Sequence, residues 1–200
     1  MNSSRLVLAS GSSGRRWLMS QAGYEFEVLV SQVEEPLDGY PDPASFVQSV
    51  AWSKARAVAQ SMTVGRRTLV IAADTIGWLD NRPLLKPDDE NHARSMLTSM
   101  AGKTHELWTG VCLWDLPGNW QIHWQERSLV RVASMTQDEI SQYLETRIWR
   151  GCSGSYAVDG PQDPLIQVIE GSISNVIGLP MESLAKRLDE WQRLESLIKL

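Results

Sequence analysis

The chain predicts an α/β fold, a mixed and elongated β-sheet flanked by helices. Three observations carry this. Residues 6–9 form an apolar run that passes through a small-residue turn into a helical pattern, so a buried strand feeds a helix. Residues 68–73 are continuously apolar, the pattern of a central strand covered on both faces. Residues 106–116 and 120–132 are two long strand patterns joined by Pro117-Gly118-Asn119, which reads as an antiparallel hairpin. Alternating strands and helices with an antiparallel centre make the sheet mixed.

The elements follow in order. A helix spans residues 13–21, and Gly23 stops it. Residues 24–30 alternate and predict a half-buried strand. Residues 31–43, with three prolines, a glycine and several acids, read as a loop. Pro43 or Ala44 opens a helix to about residue 60, whose inward stripe is Val47, Val50, Ala51, Lys54 and Val58. Lys54 thus falls on the apolar side of its helix. The central strand ends at Asp74, residues 76–79 continue extended, and Asp80-Asn81 turn the chain toward Lys86-Pro87. Asp88 is the N-cap of a helix that ends before Gly102. After the hairpin, Thr136-Gln137-Asp138-Glu139 is a capping box for a helix to about residue 146. Residues 151–160 read as a glycine-rich loop with a short strand, 165–170 as a strand, 171–178 as a polar loop, and 180–197 as a closing amphipathic helix. There is no repeat or linker, so residues 1–200 read as a single domain.

Composition bounds the function. Two hundred residues suit one domain or two small lobes. With 42% hydrophobic and 22% charged residues the chain is ordinarily globular. The net charge of −5 argues against general nucleic-acid or anionic-membrane binding, so any phosphate site must be local. Cys112 and Cys152 form no disulfide framework or metal spacing and read as reduced thiols of a cytoplasmic protein. Arg5, Arg15 and Arg16 interrupt the start, so no leader is expected there. No apolar run is long enough to span a bilayer. The nine tryptophans are scattered and read mostly as packing residues, with one or two available to stack on a ligand base.

The turn after the first strand, Ser10-Gly11-Ser12-Ser13-Gly14, exposes backbone N–H groups at the positive end of a helix dipole. Hydroxyls and the guanidiniums of Arg15 and Arg16 are added to it, which suits a phosphate chain. Asp74 stands at the carboxyl end of a buried strand, where open α/β sheets place ligand-binding groups. Lys54, Lys86 and Arg15 supply cations, and Ser10 and Ser12 supply hydroxyls. Glu34 and Glu35, in the acidic loop, would give Mg²⁺ a second carboxylate beside substrate phosphates. The turn is neither a P-loop nor a dinucleotide fingerprint. His92, His105 and His123 have no ligand spacing and read as structural, and no G-x-S-x-G elbow is present.

Taken in order, these pieces resemble the Maf family of nucleoside triphosphate pyrophosphatases. Leu8-Ala9-Ser10-Gly11-Ser12 with Arg15-Arg16 resembles the family's L-A-S-x-S-P-R-R, and Lys54-Ala55 its helix K-A. Ala73-Asp74-Thr75 resembles its A-D-T, and Lys86-Pro87 its K-P. Gly102 and His105 fit S-G-x-x-H, and Gly154-Ser155-Tyr156 resembles A-G-x-Y. Gly171-Ser172 and Asn175 through Pro180 resemble the closing G-S and N-V-x-G-L-P. The resemblance implies a fold similar to inosine triphosphate pyrophosphatase, two lobes around a cleft, and a homodimer. It implies hydrolysis of an NTP to NMP and pyrophosphate with a divalent metal, Mg or Mn.

The resemblance also implies roles. Asp74, Lys54 and Lys86 are catalytic, Asp74 acting as base or holding the metal with Glu35. Ser10, Ser12, Arg15 and Arg16 bind phosphates. Gly14, Thr75 and Asp159 stand at the specificity positions. Ser13 replaces a proline, Gly14 replaces an arginine, and Cys152-Ser153 stands where Lys-Ala is common. Thr75 is similar to the branch acting on dTTP and UTP. Gly14 and Asp159 are closer to the branch acting on 7-methyl-GTP, and a carboxylate would suit the N1–H and N2–H₂ edge of a guanine. The sequence leaves the base open between these. A second reading is a non-catalytic nucleotide-binding regulator linked to septum formation.

Overall fold

The structure is a computed structural model that describes residues 4–33, 42–63, 65–158 and 163–198, with side chains described through residue 193. The strands are β1 (Arg5–Leu8), β2 (Glu27–Val28), β3 (Thr68–Leu79), β4 (Arg82–Leu84), β5 (Thr104–Leu116), β6 (Gln121–Val132) and β7 (Ile166–Glu170). The helices are α1 (Ser13–Gln21), α2 (Pro43–Ser61), α3 (Glu90–Met100), α4 (Gln137–Glu145), α5 (Ile173–Ile177) and α6 (Met181–Ile198). One mixed sheet runs β2-β1-β3-β5-β6-β7, with β4 hairpinned onto β3. β1 is parallel to β2 and β3, and the other pairings are antiparallel.

Period-two alternation sorts the core into layers. Val7, Val70, Ala72 and Cys112 face α2 through Ala51, Ala55 and Val58. Leu8, Ile71, Ala73 and Leu113 face the other way, onto Leu18 and Met19 of α1 and Leu184 and Leu188 of α6. A third cluster packs α3 and α4 against Leu107, Val130 and Val132 near the far ends of β5 and β6. The α2 layer is unusually close. A Cβ on Gly110 of β5 would lie 2.4 Å from the carbonyl carbon and oxygen of Val47. Only glycine lets the helix backbone rest there.

Several expectations change. Residues 24–30 yield only the two-residue β2, and Leu29 and Val30 are exposed. Among the described residues β2 is an edge with β1 as its one strand neighbour, which leaves the outward half of the alternation exposed. Asp74 is not at a strand end. β3 pairs β5 from Thr68–Leu116 to Trp78–Glu106, so the ladder carries the strand well past it. The N-cap of α3 is Asp89, which accepts from the His92 amide at 2.7 Å, while Asp88 pairs with His92 Nδ1 at 3.0 Å. The loop after α4 holds a 3₁₀ turn, Ser153–Ser155, rather than a strand among its described residues. Residues 171–178 contain the helix α5, capped by Ser172. Among the described residues no helix is long and apolar enough to cross a membrane.

Candidate active site

A cavity of about 670 Å³ opens beside the β1–α1 turn. Ser10, Ser12, Gly14, Arg15, Lys54, Asp74, Thr75 and Lys86 all line it. Arg16 does not. It lies exposed on α1, turned away from the buried Arg15 that precedes it. Glu35, with Glu34, and Asp159 lie outside the described residues. None of the described lining residues is a tryptophan.

The turn is built to receive an acceptor. Ser12 caps α1, its Oγ accepting from the Arg15 amide at 3.3 Å. Ser10 Oγ accepts from the Ser12 amide at 3.2 Å and from Arg15 Nη1 at 3.1 Å. Both lone pairs of Ser10 are then used, so its hydroxyl proton is what it offers the cavity. The amides of Ser13 and Gly14 are first-turn donors with no partner inside the helix. These donors converge with the helix dipole on one wall.

Alternation along β3 sends Asp74 and Thr75 to opposite faces. Asp74 meets α2, where Lys54 Nζ donates to its Oδ1 at 2.7 Å. Both residues are buried, at 8% and 5% exposure. The apolar-stripe lysine is therefore the charge partner of the strand carboxylate, and it lines the cavity beside it. Thr75 meets α1 on the other face. Its Oγ1 accepts from Arg15 Nη2 at 3.0 Å and lies 2.9 Å from Thr109 Oγ1, which also donates to the Asn175 carbonyl at 3.1 Å. Arg15 Nε donates to the Gly178 carbonyl at 2.7 Å. Arg15 is thereby a brace that ties the turn to β3 and to the α5–α6 junction.

Gly14, which stands in place of an arginine, lies against the end of α5. A Cβ there would stand 2.9 Å from Ile177 Cγ2 and 3.3 Å from the Ile177 carbonyl oxygen. The end of α5 fills the place that a side chain would take. This follows from a contact 163 positions away, which local sequence does not carry.

Sequence reasoning missed three features of the wall. Arg150 lines the cavity on the loop after α4. Tyr156 lines it too, and its hydroxyl is 2.7 Å from His105 Nε2 in the buried interior. Burial pushes the His105 pKa down to about 4, so the imidazole is neutral at pH 7. Cys152 is the third, its thiol raised by burial against the opposing effect of Lys86. Both cysteines are free thiols, and burial pushes Cys112 up to about 12.

Among the described residues no group of three or more His, Cys, Asp and Glu gathers to hold a metal. Asp74 offers one carboxylate at the cavity wall, with one of its oxygens taken by Lys54. That donor set suits a hard cation held mainly by substrate phosphates and water, and it does not suit a closed protein cage.

Residues 5–191 match the family model described as Maf-like protein. A dTTP/UTP pyrophosphatase of Bacillus cereus is 36% identical over 190 residues, covering 95% of this chain and 91% of the relative. A dTTP/UTP pyrophosphatase of Bacillus cytotoxicus is 37% identical over 187 residues, covering 94% and 95%. The Staphylococcus aureus Ham1 protein has a similar fold, with a TM-score of 0.54 at 12% identity, covering 96% of this chain and 99% of that one.

Proposed function

The chain belongs to the Maf-like protein family, and from that premise we propose that it is a nucleoside triphosphate pyrophosphatase, a housecleaning hydrolase that converts an NTP and water to NMP and pyrophosphate. The observation that carries this reading is the Lys54–Asp74 pair on the wall of a cavity shared with the β1–α1 turn. A carboxylate poised beside an anion cradle suits hydrolysis of a phosphoanhydride, whereas a binding module would need only the cradle. The non-catalytic regulator is not favoured, since the similar relatives are named as pyrophosphatases.

The phosphate chain lies along the turn, with Ser10 donating its hydroxyl and Ser13 and Gly14 their amides. Asp74 accepts a proton from a water, which attacks the α-phosphorus. The bond to the bridging oxygen breaks, and pyrophosphate leaves with its electron pair. Lys54 orients Asp74 and offsets its charge in the buried wall. Lys86 adds positive charge where negative charge builds. A divalent cation, Mg²⁺ or Mn²⁺, held by Asp74 and Glu35, would draw charge from the phosphate oxygens.

The relatives named for dTTP and UTP support a pyrimidine substrate, as does Thr75. The runner-up, 7-methyl-GTP, rests on Asp159. We also take the protein to be a cytoplasmic homodimer, which light scattering and fractionation would check.

The test is pyrophosphate release from a panel of dTTP, UTP, CTP, GTP, ITP, 7-methyl-GTP and 5-methyl-UTP. The expected result is turnover best on dTTP or UTP. Asp74→Asn should lower it at least ~10²-fold, because the amide keeps an oxygen for Lys54 but cannot take the proton. Near-normal turnover by that variant would remove Asp74 from the role of base.

A further inference from the structure

We infer that Arg150 is a substrate-contacting residue, which holds the pyrophosphate portion of the phosphate chain from the rim of the cavity. The inference rests on the pyrophosphatase reading above and adds a residue to it.

Arg150 stands apart from the cations on the cavity floor. Lys54 is committed to Asp74, and Arg15 spans Ser10, Thr75 and the Gly178 carbonyl. Those two are buried. Arg150 lines the same cavity but is exposed, and its guanidinium makes no hydrogen bond or ion pair among the described residues. Its side-chain contact is the indole of Trp149, with Cζ 5.6 Å from the ring centroid. That contact orients the guanidinium without using its N–H groups. Five donors in a planar fork are left for an acceptor.

The platform beneath it is firm. Trp149 is buried, and its Nε1 donates to the Leu144 carbonyl at 2.9 Å. The Arg150 amide donates to the Arg147 carbonyl, and the Cys152 amide to the Trp149 carbonyl. The Gly154 amide then pins the loop to the Leu85 carbonyl, the residue before Lys86. So the loop that carries Arg150 is tied to the segment that carries Lys86. Gly151, Cys152 and Ser153, which line the cavity beside it, are uncharged, so Arg150 is the charge that this stretch brings to the cavity.

A surface arginine on its neighbouring tryptophan is often only a packing contact. Two features go beyond that here, the lining position and the unused donors. Direction follows from the floor. The α-phosphorus must reach Asp74 at the buried end, so the rest of the substrate extends toward the mouth. Val30, Val33, Val158 and Ile177 are apolar walls that suit the nucleoside. Lys86 and Arg150 suit the two outer phosphates, whose oxygens match an arginine fork.

Inorganic pyrophosphate and UMP are the probes, measured by calorimetry in magnesium buffer, with turnover on UTP alongside. Arg150→Ala should weaken pyrophosphate binding about 10- to 100-fold, the size of a lost charge-assisted hydrogen bond. UMP binding should stay within about twofold, and the melting temperature should fall by no more than about 4 °C, the loss of one exposed packing contact. Arg150→Lys should recover part of the loss. Unchanged pyrophosphate binding in Arg150→Ala would overturn the inference. An equal loss for UMP and pyrophosphate would overturn it too, since that reports a deformed loop. Absence of turnover by the wild-type protein on every NTP would instead sink the pyrophosphatase reading, so the two failures are distinguishable.

Discussion

Replacing Lys54 by Met keeps the length of the side chain and its apolar stem but removes the ammonium. Asp74 is then a buried carboxylate without its partner. The separation is 2.7 Å, so at an effective dielectric of about 20 the lost attraction is about 6 kcal/mol. Desolvation of the lysine offsets part of this, and removal of one partner of a buried pair costs roughly 3–5 kcal/mol in practice. For a chain of this size each kcal/mol moves the melting temperature by about 2–4 °C, so the fall should be about 6–20 °C. Asp74→Asn should cost less, because its amide oxygen still accepts from Nζ. The double variant Lys54→Met/Asp74→Asn has no unpaired charge and should be more stable than the sum of the singles by at least about 2 kcal/mol. Urea denaturation of the four proteins measures this. A Lys54→Met protein within about 0.5 kcal/mol of wild type, with additive singles, would refute the buried pair and the positioning of Asp74 that depends on it.

Two further outcomes follow from the packing. Gly110→Ala would put a methyl 2.4 Å from the backbone of Val47 and 2.6 Å from the Gln48 nitrogen, which cannot yield as a flexible side chain would. It should cost about 1–3 kcal/mol in urea melts, and pyrophosphate release should fall as well, because the displaced α2 carries Lys54; wild-type values for both would show that α2 does not rest on β5. His105 falls from an ordinary pKa of 6.5 to about 4 by burial, so the unfolded chain binds a proton in that window and the folded one does not. Stability should therefore be lost as pH falls from 6.5 toward 4, by about 3 kcal/mol relative to His105→Gln, which can still bond the Tyr156 hydroxyl but does not titrate; equal pH slopes for the two proteins would refute it.

How much of this was legible in the sequence depends on the range of the interaction. The Thr136–Glu139 capping box, the inward face of Lys54 and the long hairpin are local patterns, and the structure carries them as read. Asp74 was placed at a strand end because the apolar run stops there, but the β5 ladder continues for as long as its partner does. The helix α5 has five residues, Ile173–Ile177, too few for a 3.6-residue period to show against a polar background.

The site departs further, because it is made by contacts across the chain. Gly14 reads as a missing side chain only while α5 is unseen; with Ile177 against it, the glycine is the condition for α5 to close the turn. The same junction delivers the Gly178 carbonyl to Arg15, and Arg15 in turn fixes Ser10 and Thr75. A guanidinium that motif order assigns to the substrate also holds the cradle in shape. This redistributes the cations of the cavity. Lys54 pairs with Asp74 and Arg15 braces the turn, and in the proposed reading Lys86 and Arg150 add charge for the outer phosphates, on two segments joined by the Gly154–Leu85 hydrogen bond. Specificity for a triphosphate would then reside in the rim, while the bond-breaking chemistry resides in the β3–α2 floor.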